Sequence, residues 1–201
     1  SRQQLIHFLP PMKITTSSRL LLLTLALVAS LARGAEVQPL PDDPKCTDAE
    51  RALMKRANEL AASALAKGNT PYGALLARNG KIVMEFENDA RTSGDVTHHA
   101  ETGLISKASR ELGKEALADT VLYTSTEPCI MCCGSIRALG LKKFVYGTTA
   151  IQVQKQRGTP LPKNPLQCRE VFARIGMADV VILGPLLEKE GLAVHAKALG
   201  K

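Results

Sequence analysis

The stretch STEPCIMCCGS, residues 125–135, places three cysteines within five positions, directly after a Glu-Pro pair. Thiols at this density can form a disulfide, serve as a redox pair, bind a metal ion or pack as small hydrophobic groups. The elements around the stretch and a second motif upstream of it decide among these roles.

Two of the three cysteines are expected to share one face of a helix. Cys129 and Cys132 lie three residues apart in the first turn of a helix that we predict to start at Pro128. A helix N-terminus also favours the thiolate form that metal binding requires. One imidazole added to this pair would give three protein ligands and one open position, which is the arrangement of a catalytic zinc site.

Helices and strands alternate on both sides of this motif. Residues 47–67 predict a helix with a capping box, and residues 72–87 predict a hairpin that turns at Asn79-Gly80. The later elements are predicted as a helix over 99–110, a strand over 120–126, a helix over 128–139, a strand over 142–147, a long connection over 150–167, a helix over 168–176, a strand over 178–184 and a terminal helix over 186–199 interrupted at Gly191. This order is typical of an α/β layer sandwich with a mixed sheet.

The second motif is His99-Ala100-Glu101, which lies 30 residues upstream of the cysteine pair. H-x-E followed by P-C-x-x-C is the signature of zinc deaminases. From about Thr47 to its C-terminus the chain resembles the cytidine-deaminase-like superfamily, and it is most similar to guanine deaminases, related nucleoside deaminases and tRNA adenosine deaminases. Three stretches carry the resemblance: TPYGALLARNGKIV (70–83), HHAETGLI (98–105) and LYTSTEPCIMCCGSI (122–136).

The resemblance implies a fold and a metal. The fold is a three-layer α/β/α sandwich with a five-stranded mixed sheet, over residues 45–201. The cofactor is Zn²⁺, held by His99, Cys129 and Cys132, and the activity is a hydrolase reaction that releases an amino group of a cyclic amidine as ammonia. In such enzymes zinc lowers the pKa of a water molecule toward about 7.

The resemblance also assigns roles to residues that do not bind the metal. Glu101 would be the catalytic residue that moves protons from water to the substrate, and Asn88 and Ala100 would bind the substrate. Spacing alone does not explain how His99 and Glu101 reach one site, because residues two apart on a regular helix point to nearly opposite sides.

The other histidines and cysteines are expected to have structural roles. His98 is predicted to be loop or pocket wall and His195 to lie at the surface, while Cys133 is predicted to be a small buried hydrophobic residue. Cys46 and Cys168 could form a disulfide or stay as two free thiols, and the sequence leaves both alternatives open.

Two other functions of the cysteine pair, a redox pair and a structural zinc site, agree less well with the sequence. Redox pairs of the C-x-x-C type sit after the first strand of a βαβ unit, whereas this pair comes late in the chain. A structural zinc site would need a fourth ligand, and the register of Cys133 is wrong for that role. Glu127 could look catalytic, but the resemblance makes it a structural residue whose backbone lines the pocket.

Residues 12–35 show the pattern of a secretory signal peptide. Lys13 and Arg19 form a basic start, and an apolar run follows over 20–29. The run is shorter than the about 20 apolar residues of a transmembrane helix, so cleavage is favoured over an uncleaved anchor. Residues 1–35 are therefore predicted to be an upstream segment and signal peptide. The protein would be secreted or periplasmic, or cytoplasmic if the leader is not used.

Basic charge is concentrated in that leader. The full chain carries +7, but residues 1–34 hold four basic and no acidic residues, so the remainder carries +3, with 22 basic against 19 acidic residues. This weak charge and an aromatic content of 3% argue against nucleic acid as a partner.

The substrate is the least determined property. The segment LAVHAKALGK, residues 192–201, lacks the aromatic residue that tRNA deaminases and some guanine deaminases carry near their ends. We predict deamination of a free nucleobase or nucleoside, with a guanine-type purine favoured. A tRNA adenosine deaminase and a catalytically silent zinc-binding module are the alternatives. The resemblance further implies a homodimer, and cleavage of the signal peptide would leave no membrane association.

Overall fold

The computed structural model describes residues 37–200, so the predicted signal peptide lies outside the described residues. The described residues form seven α-helices, five β-strands and a short 3-10 helix, Glu115–Leu117. The helices are α1 (Asp48–Ala66), α2 (Ala90–Ser93), α3 (Ala100–Leu112), α4 (Ile130–Leu139), α5 (Ala150–Arg157), α6 (Cys168–Arg174) and α7 (Glu188–Ala198). The strands are β1 (Gly73–Arg78), β2 (Lys81–Glu87), β3 (Val121–Thr126), β4 (Lys143–Thr148) and β5 (Val181–Leu183).

The five strands form one mixed sheet in the order β2-β1-β3-β4-β5. β1 pairs antiparallel with both β2 and β3, whereas β3–β4 and β4–β5 are parallel. The hairpin prediction is confirmed, because Asn79 and Gly80 both have positive φ, at 50° and 74°, as a tight two-residue turn requires. The capping box of α1 is also present, between Thr47 and Glu50.

Both faces of the sheet are covered by helices, which confirms the three-layer sandwich. Successive residues of β1 point to opposite sides, so that Leu75 and Ala77 face one core and Ala74 and Leu76 the other. The first core is formed with α1. The second is formed with α3, α4 and α6, and it includes Ala100 and Cys133, which belong to the two motif stretches.

The structure differs from the sequence prediction at two helices. Residues 150–157, predicted as part of a connection, form α5, with Thr149 as N-cap and Gly158 at the left-handed C-terminal position. The terminal helix α7 runs through Gly191 without interruption. A Cβ at position 191 would overlap Thr148 Oγ1, so glycine is what lets α7 pack against the end of β4.

Cys46 and Cys168 are both free thiols, so the disulfide alternative is wrong. Cys46 packs against the core on the α1 side of the sheet, whereas Cys168 is buried in the core on the α3 side. The sheet therefore separates the two sulfurs. Cys133 is fully buried, as predicted for a small hydrophobic residue.

None of the helices within residues 37–200 is both long enough and apolar enough to cross a membrane.

Candidate active site

His99 and Glu101 reach the same site because His99 is not part of the helix. It is the N-cap of α3, with extended backbone angles of φ −67° and ψ 158°. Glu101 lies one residue into the first turn and is 6% exposed. Because the backbone changes from extended at His99 to helical at Glu101, the two side chains need not point to opposite sides, as they would in a regular helix.

Cys129 and Cys132 are presented by the start of α4 in the same manner. Cys129 is the N-cap, with φ −72° and ψ 172°, and Cys132 lies in the first turn. The helix therefore begins two residues later than predicted, and Pro128 stands outside it. Both helix N-termini thus point at one place near the end of β3, where the parallel part of the sheet begins.

Three side chains from these helix starts converge. The Sγ atoms of Cys129 and Cys132 are 3.6 Å apart, and His99 Nδ1 lies 3.6 Å from the first and 3.7 Å from the second. They are the only group of three potential metal ligands that meets within residues 37–200.

These separations fit a zinc ion. Tetrahedral coordination with Zn–S of about 2.3 Å and Zn–N of about 2.0–2.1 Å places ligand atoms about 3.5–3.8 Å apart. The observed triangle has this size, and its donor set of one imidazole and two thiols is one that zinc prefers. His99, Cys129 and Cys132 are therefore the residues that would hold zinc, and all three border one cavity.

The thiol nearest the surface is the more acidic one. The hydrogen bond between the two thiols, with a further contribution from His99, lowers the pKa of Cys129 to about 4. The same hydrogen bond, together with burial, raises the pKa of Cys132. A thiolate at Cys129 is the form that binds a metal ion.

The carboxylate of Glu101 is held between two side chains beside this cluster. Thr124 Oγ1 donates to Glu101 Oε1 at 3.0 Å, and Cys132 Sγ donates to Glu101 Oε2 at 3.4 Å. Burial raises the pKa of Glu101. The sequence analysis did not find Thr124, although the polar run at the carboxyl end of β3 is where ligand contacts in such sheets concentrate.

A cavity of about 470 Å³ opens in front of these groups. Its walls combine apolar residues with few polar ones, as is usual for small-molecule sites. Besides His99, Glu101, Cys129 and Cys132, it is lined by Tyr72, Thr126, Glu127, Pro128, Ile130, Met131, Ala150, Val153, Gln154, Arg157, Leu166 and Val171.

Asn88 and Ala100, predicted to bind substrate, are not among these lining residues. Asn88 is buried after β2, where its backbone N–H donates to Tyr72 O at 2.9 Å and its side-chain Oδ1 accepts from Ala90 N at 3.3 Å. Ala100 is fully buried as the first residue of α3 and belongs to the core. Their substrate contacts stay a prediction.

Glu127 and His98 have hydrogen-bond partners other than the three ligands. Glu127 accepts from Cys168 N at 2.8 Å and from Ala150 N at 3.1 Å, so it ties the starts of α6 and α5 to the end of β3. His98 Nδ1 lies 3.0 Å from Asp89 Oδ1 and does not join the cluster. Both placements agree with structural roles.

His195 is buried behind the cavity wall, so its predicted surface position is wrong. It is 3% exposed, and its Nε2 lies 3.1 Å from Thr126 Oγ1. Its ring meets Tyr72 edge-on at 5.4 Å, and Tyr72 stacks on His99 at 6.5 Å. The burial of His195 could not be predicted from sequence because its contacts come from residues far away in the chain.

We expect His195 to make stability depend on pH. Burial, with a contribution from the charge of Arg157, lowers the pKa of His195 from 6.5 to about 4. Between these values the unfolded chain binds a proton that the folded chain does not, so the free energy of unfolding falls as pH decreases from about 6.5 to 4.

The matched variant is His195→Gln, whose neutral amide can still bond Thr126. Between pH 7 and pH 5 the wild type should lose about 2 kcal/mol more stability than this variant. Urea denaturation at several pH values measures the difference, in which effects common to both proteins cancel. Parallel pH curves for the two proteins would contradict the prediction.

The fold and the site together define a class: metal-dependent hydrolases whose ligands come from the starts of two helices on one face of a mixed sheet. The family model for the cytidine and deoxycytidylate deaminase zinc-binding region matches residues 47–148. The chain therefore belongs to this family, whose members are hydrolytic deaminases that act on C–N bonds.

Three known proteins show the range of the relatives. A probable cytosine deaminase of Schizosaccharomyces pombe is 31% identical over 157 residues, which cover 74% of this chain and 91% of that protein. A guanine deaminase of Bacillus subtilis is 45% identical over 85 residues, which cover 42% of this chain and 54% of that protein. A solved structure from studies of A-to-I editing by tRNA:A34 deaminases has a TM-score of 0.59 at 27% identity, covering 71% of this chain and 98% of the other.

The arrangement assigns separate tasks to the residues of the site. Bound zinc would supply a Lewis acid that makes water nucleophilic near neutral pH. Glu101 would be the residue that moves protons: its carboxylate would take one proton from water and deliver it to a ring nitrogen, and would then carry the second proton of the same water to the departing amine. The net reaction consumes one water and releases one ammonia.

Proposed function

We propose that the protein is a zinc-dependent deaminase of a free nucleobase or nucleoside, with a guanine-type purine as the favoured substrate. The observation that carries the proposal is the position of Glu101. Its buried carboxylate lies beside the three zinc ligands and lines the same cavity. Water and substrate can therefore meet there with a proton carrier in reach.

The size and lining of the cavity support a small substrate. A volume of about 470 Å³ lies within the usual range of small-molecule sites, and only a few polar groups interrupt its apolar walls. The 45% local identity with a guanine deaminase supports a guanine-type purine. The relatives also include a cytosine enzyme, so both bases belong in a substrate screen.

Two alternatives compete with this proposal. The likeness to a tRNA:A34 deaminase structure favours an adenosine in tRNA, whereas the predicted signal peptide and the charge of +3 without the leader oppose it. A silent zinc-binding module would have no need of a carboxylate at position 101, whereas a deaminase needs a proton carrier there.

A substrate screen tests the proposal. Protein of residues 37–201 with measured zinc content is incubated with guanine, cytosine, adenine, their nucleosides and a tRNA carrying a wobble adenosine, and released ammonia is measured. We expect ammonia from guanine or another free base or nucleoside. Release from the tRNA alone would support the first alternative, and no release from any zinc-loaded sample would support the second.

The predicted export and the homodimer remain part of the proposal. Cell fractionation of the full chain would locate it outside the cytoplasm if residues 12–35 act as a signal peptide. Light scattering of the purified protein would give twice the mass of one chain for the homodimer. A cytoplasmic monomer would contradict both expectations.

A further inference from the structure

Most polar side chains of the cavity already have partners inside the protein. Thr126 Oγ1 is paired with His195, and both carboxylate oxygens of Glu127 accept backbone amides. The hydroxyl of Tyr72 accepts from Arg157 at 2.9 Å. A substrate contact at Thr126 or Glu127 would compete with these bonds, whereas the Tyr72 hydroxyl keeps its own O–H for a further contact.

Two lining residues on α5 remain available. Gln154 and Arg157 are three positions apart, so their side chains lie on the same side of the helix. Within residues 37–200, the side-chain amide of Gln154 has no hydrogen-bond partner and Arg157 forms no ion pair. The guanidinium touches Tyr72, with its carbon 5.8 Å from the ring centre, and leaves its other N–H groups free.

We propose that Arg157, assisted by Gln154, recognises an oxygen acceptor of the substrate at a position away from the amino group that is lost. The inference rests on the proposed function, since it names the substrate class of the same cavity. An arginine offers only donors, in a planar fork that suits carbonyl and phosphate oxygens. Gln154 can donate to the same oxygen or accept from a neighbouring ring N–H.

This recognition separates the candidate substrates by their chemistry. Guanine and cytosine carry a ring carbonyl in addition to the amino group, whereas adenine carries no exocyclic oxygen. A nucleoside 5′-monophosphate would offer phosphate oxygens instead. The common requirement is an oxygen acceptor, and the cavity should discriminate against a base that lacks one because the guanidinium would lose hydration without gaining a partner.

The test compares matched pairs of substrates that differ in this oxygen. Guanine is paired with 2-aminopurine, which lacks the 6-oxo group, and cytosine with 4-aminopyrimidine, which lacks the 2-oxo group. In Arg157→Gln, kcat/KM for the oxygen-bearing member should fall about 10- to 100-fold, while the other member changes less than about threefold. Comparing guanosine with its 5′-monophosphate shows whether the oxygen belongs to the base or to a phosphate.

Two further variants separate recognition from other effects. Lys155→Gln removes the same charge from an exposed residue of α5 that does not line the cavity, and it should leave all ratios unchanged. Tyr72→Phe removes only the hydroxyl that Arg157 contacts, and the oxygen preference should persist in it. Equal losses for both members of a pair in Arg157→Gln, or loss of the preference in Tyr72→Phe, would overturn the proposal.

If the protein shows no turnover, equilibrium binding measurements can still test the role of Arg157 in recognition. A wild type that deaminates no compound would refute the proposed function, yet titration calorimetry with guanine and 2-aminopurine would still compare the wild type with Arg157→Gln. Tighter binding of guanine that depends on Arg157 supports the recognition role. Equal affinities for the two ligands in both proteins refute it.

Discussion

Glu101→Gln is expected to lower kcat by about 10³-fold or more while the protein keeps its zinc. The amide has nearly the shape of the carboxylate and can still accept from Thr124, but it cannot take a proton from water and return it to the substrate. The change removes no ligand atom of His99, Cys129 or Cys132. Ammonia release and zinc content, measured on the same preparation, check both parts of the prediction.

Glu127→Gln is the matched control for this variant. Glu127 is also buried and lines the same cavity, but its two oxygens serve the backbone amides of Ala150 and Cys168. We expect this change to lower stability by about 1–3 kcal/mol, with kcat of the folded protein within a few-fold of wild type. If Glu127→Gln loses turnover as severely as Glu101→Gln, or if Glu101→Gln loses its zinc, the role assigned to Glu101 is wrong.

The parts of the fold that sequence analysis predicted correctly are those set by local chemistry. The Asn79-Gly80 turn needs two residues with positive φ, and the capping box of α1 involves residues only three apart. The alternation of apolar residues along β1 follows from the period of a strand. Such signals lie within a few residues of one another, so a single sequence is enough to read them.

The predictions that were wrong concern features that depend on contacts between distant segments of the chain. His195 is buried because Thr126 and Tyr72 meet it from elements far away in the chain. Gly191 suggested a break in α7, but it is the close approach to Thr148 that requires glycine there. The helix α5 was missed because its stretch is largely polar and the proline-rich residues that follow it suggested a loop. In each case packing outweighed local preference.

The features of the site also divide into those predicted from local spacing and those that depend on the fold. Spacing alone placed Cys129 and Cys132 on one helix turn, and the three ligands do converge. It could not show how His99 and Glu101 face one cavity, because that depends on the backbone change at the N-cap of α3. The polar residues of α5 that line the cavity, Gln154 and Arg157, carry no motif and became visible only through the fold.

The last prediction uses the two neighbouring cysteines of α4, which have the same chemistry and different surroundings. Cys132→Ala should reduce zinc affinity by at least about 100-fold, because it removes one of three ligands, and loss of an outer-shell partner alone costs about 10–100-fold. Activity should fall with the metal. Zinc titration against a colorimetric chelator, together with ammonia release, measures both effects.

Cys133→Ala is the control because it removes the same chemical group, a thiol, from the next residue. Cys133 is fully buried, and its thiol points at Pro128 O, 3.6 Å away, rather than at His99. Its loss leaves a small void in the core, so we expect a stability decrease of about 1–2 kcal/mol with zinc affinity unchanged. Equal zinc loss in both variants would mean that the metal is not held by the helix face that carries Cys129 and Cys132. The argument for a hydrolase at this site would then fail.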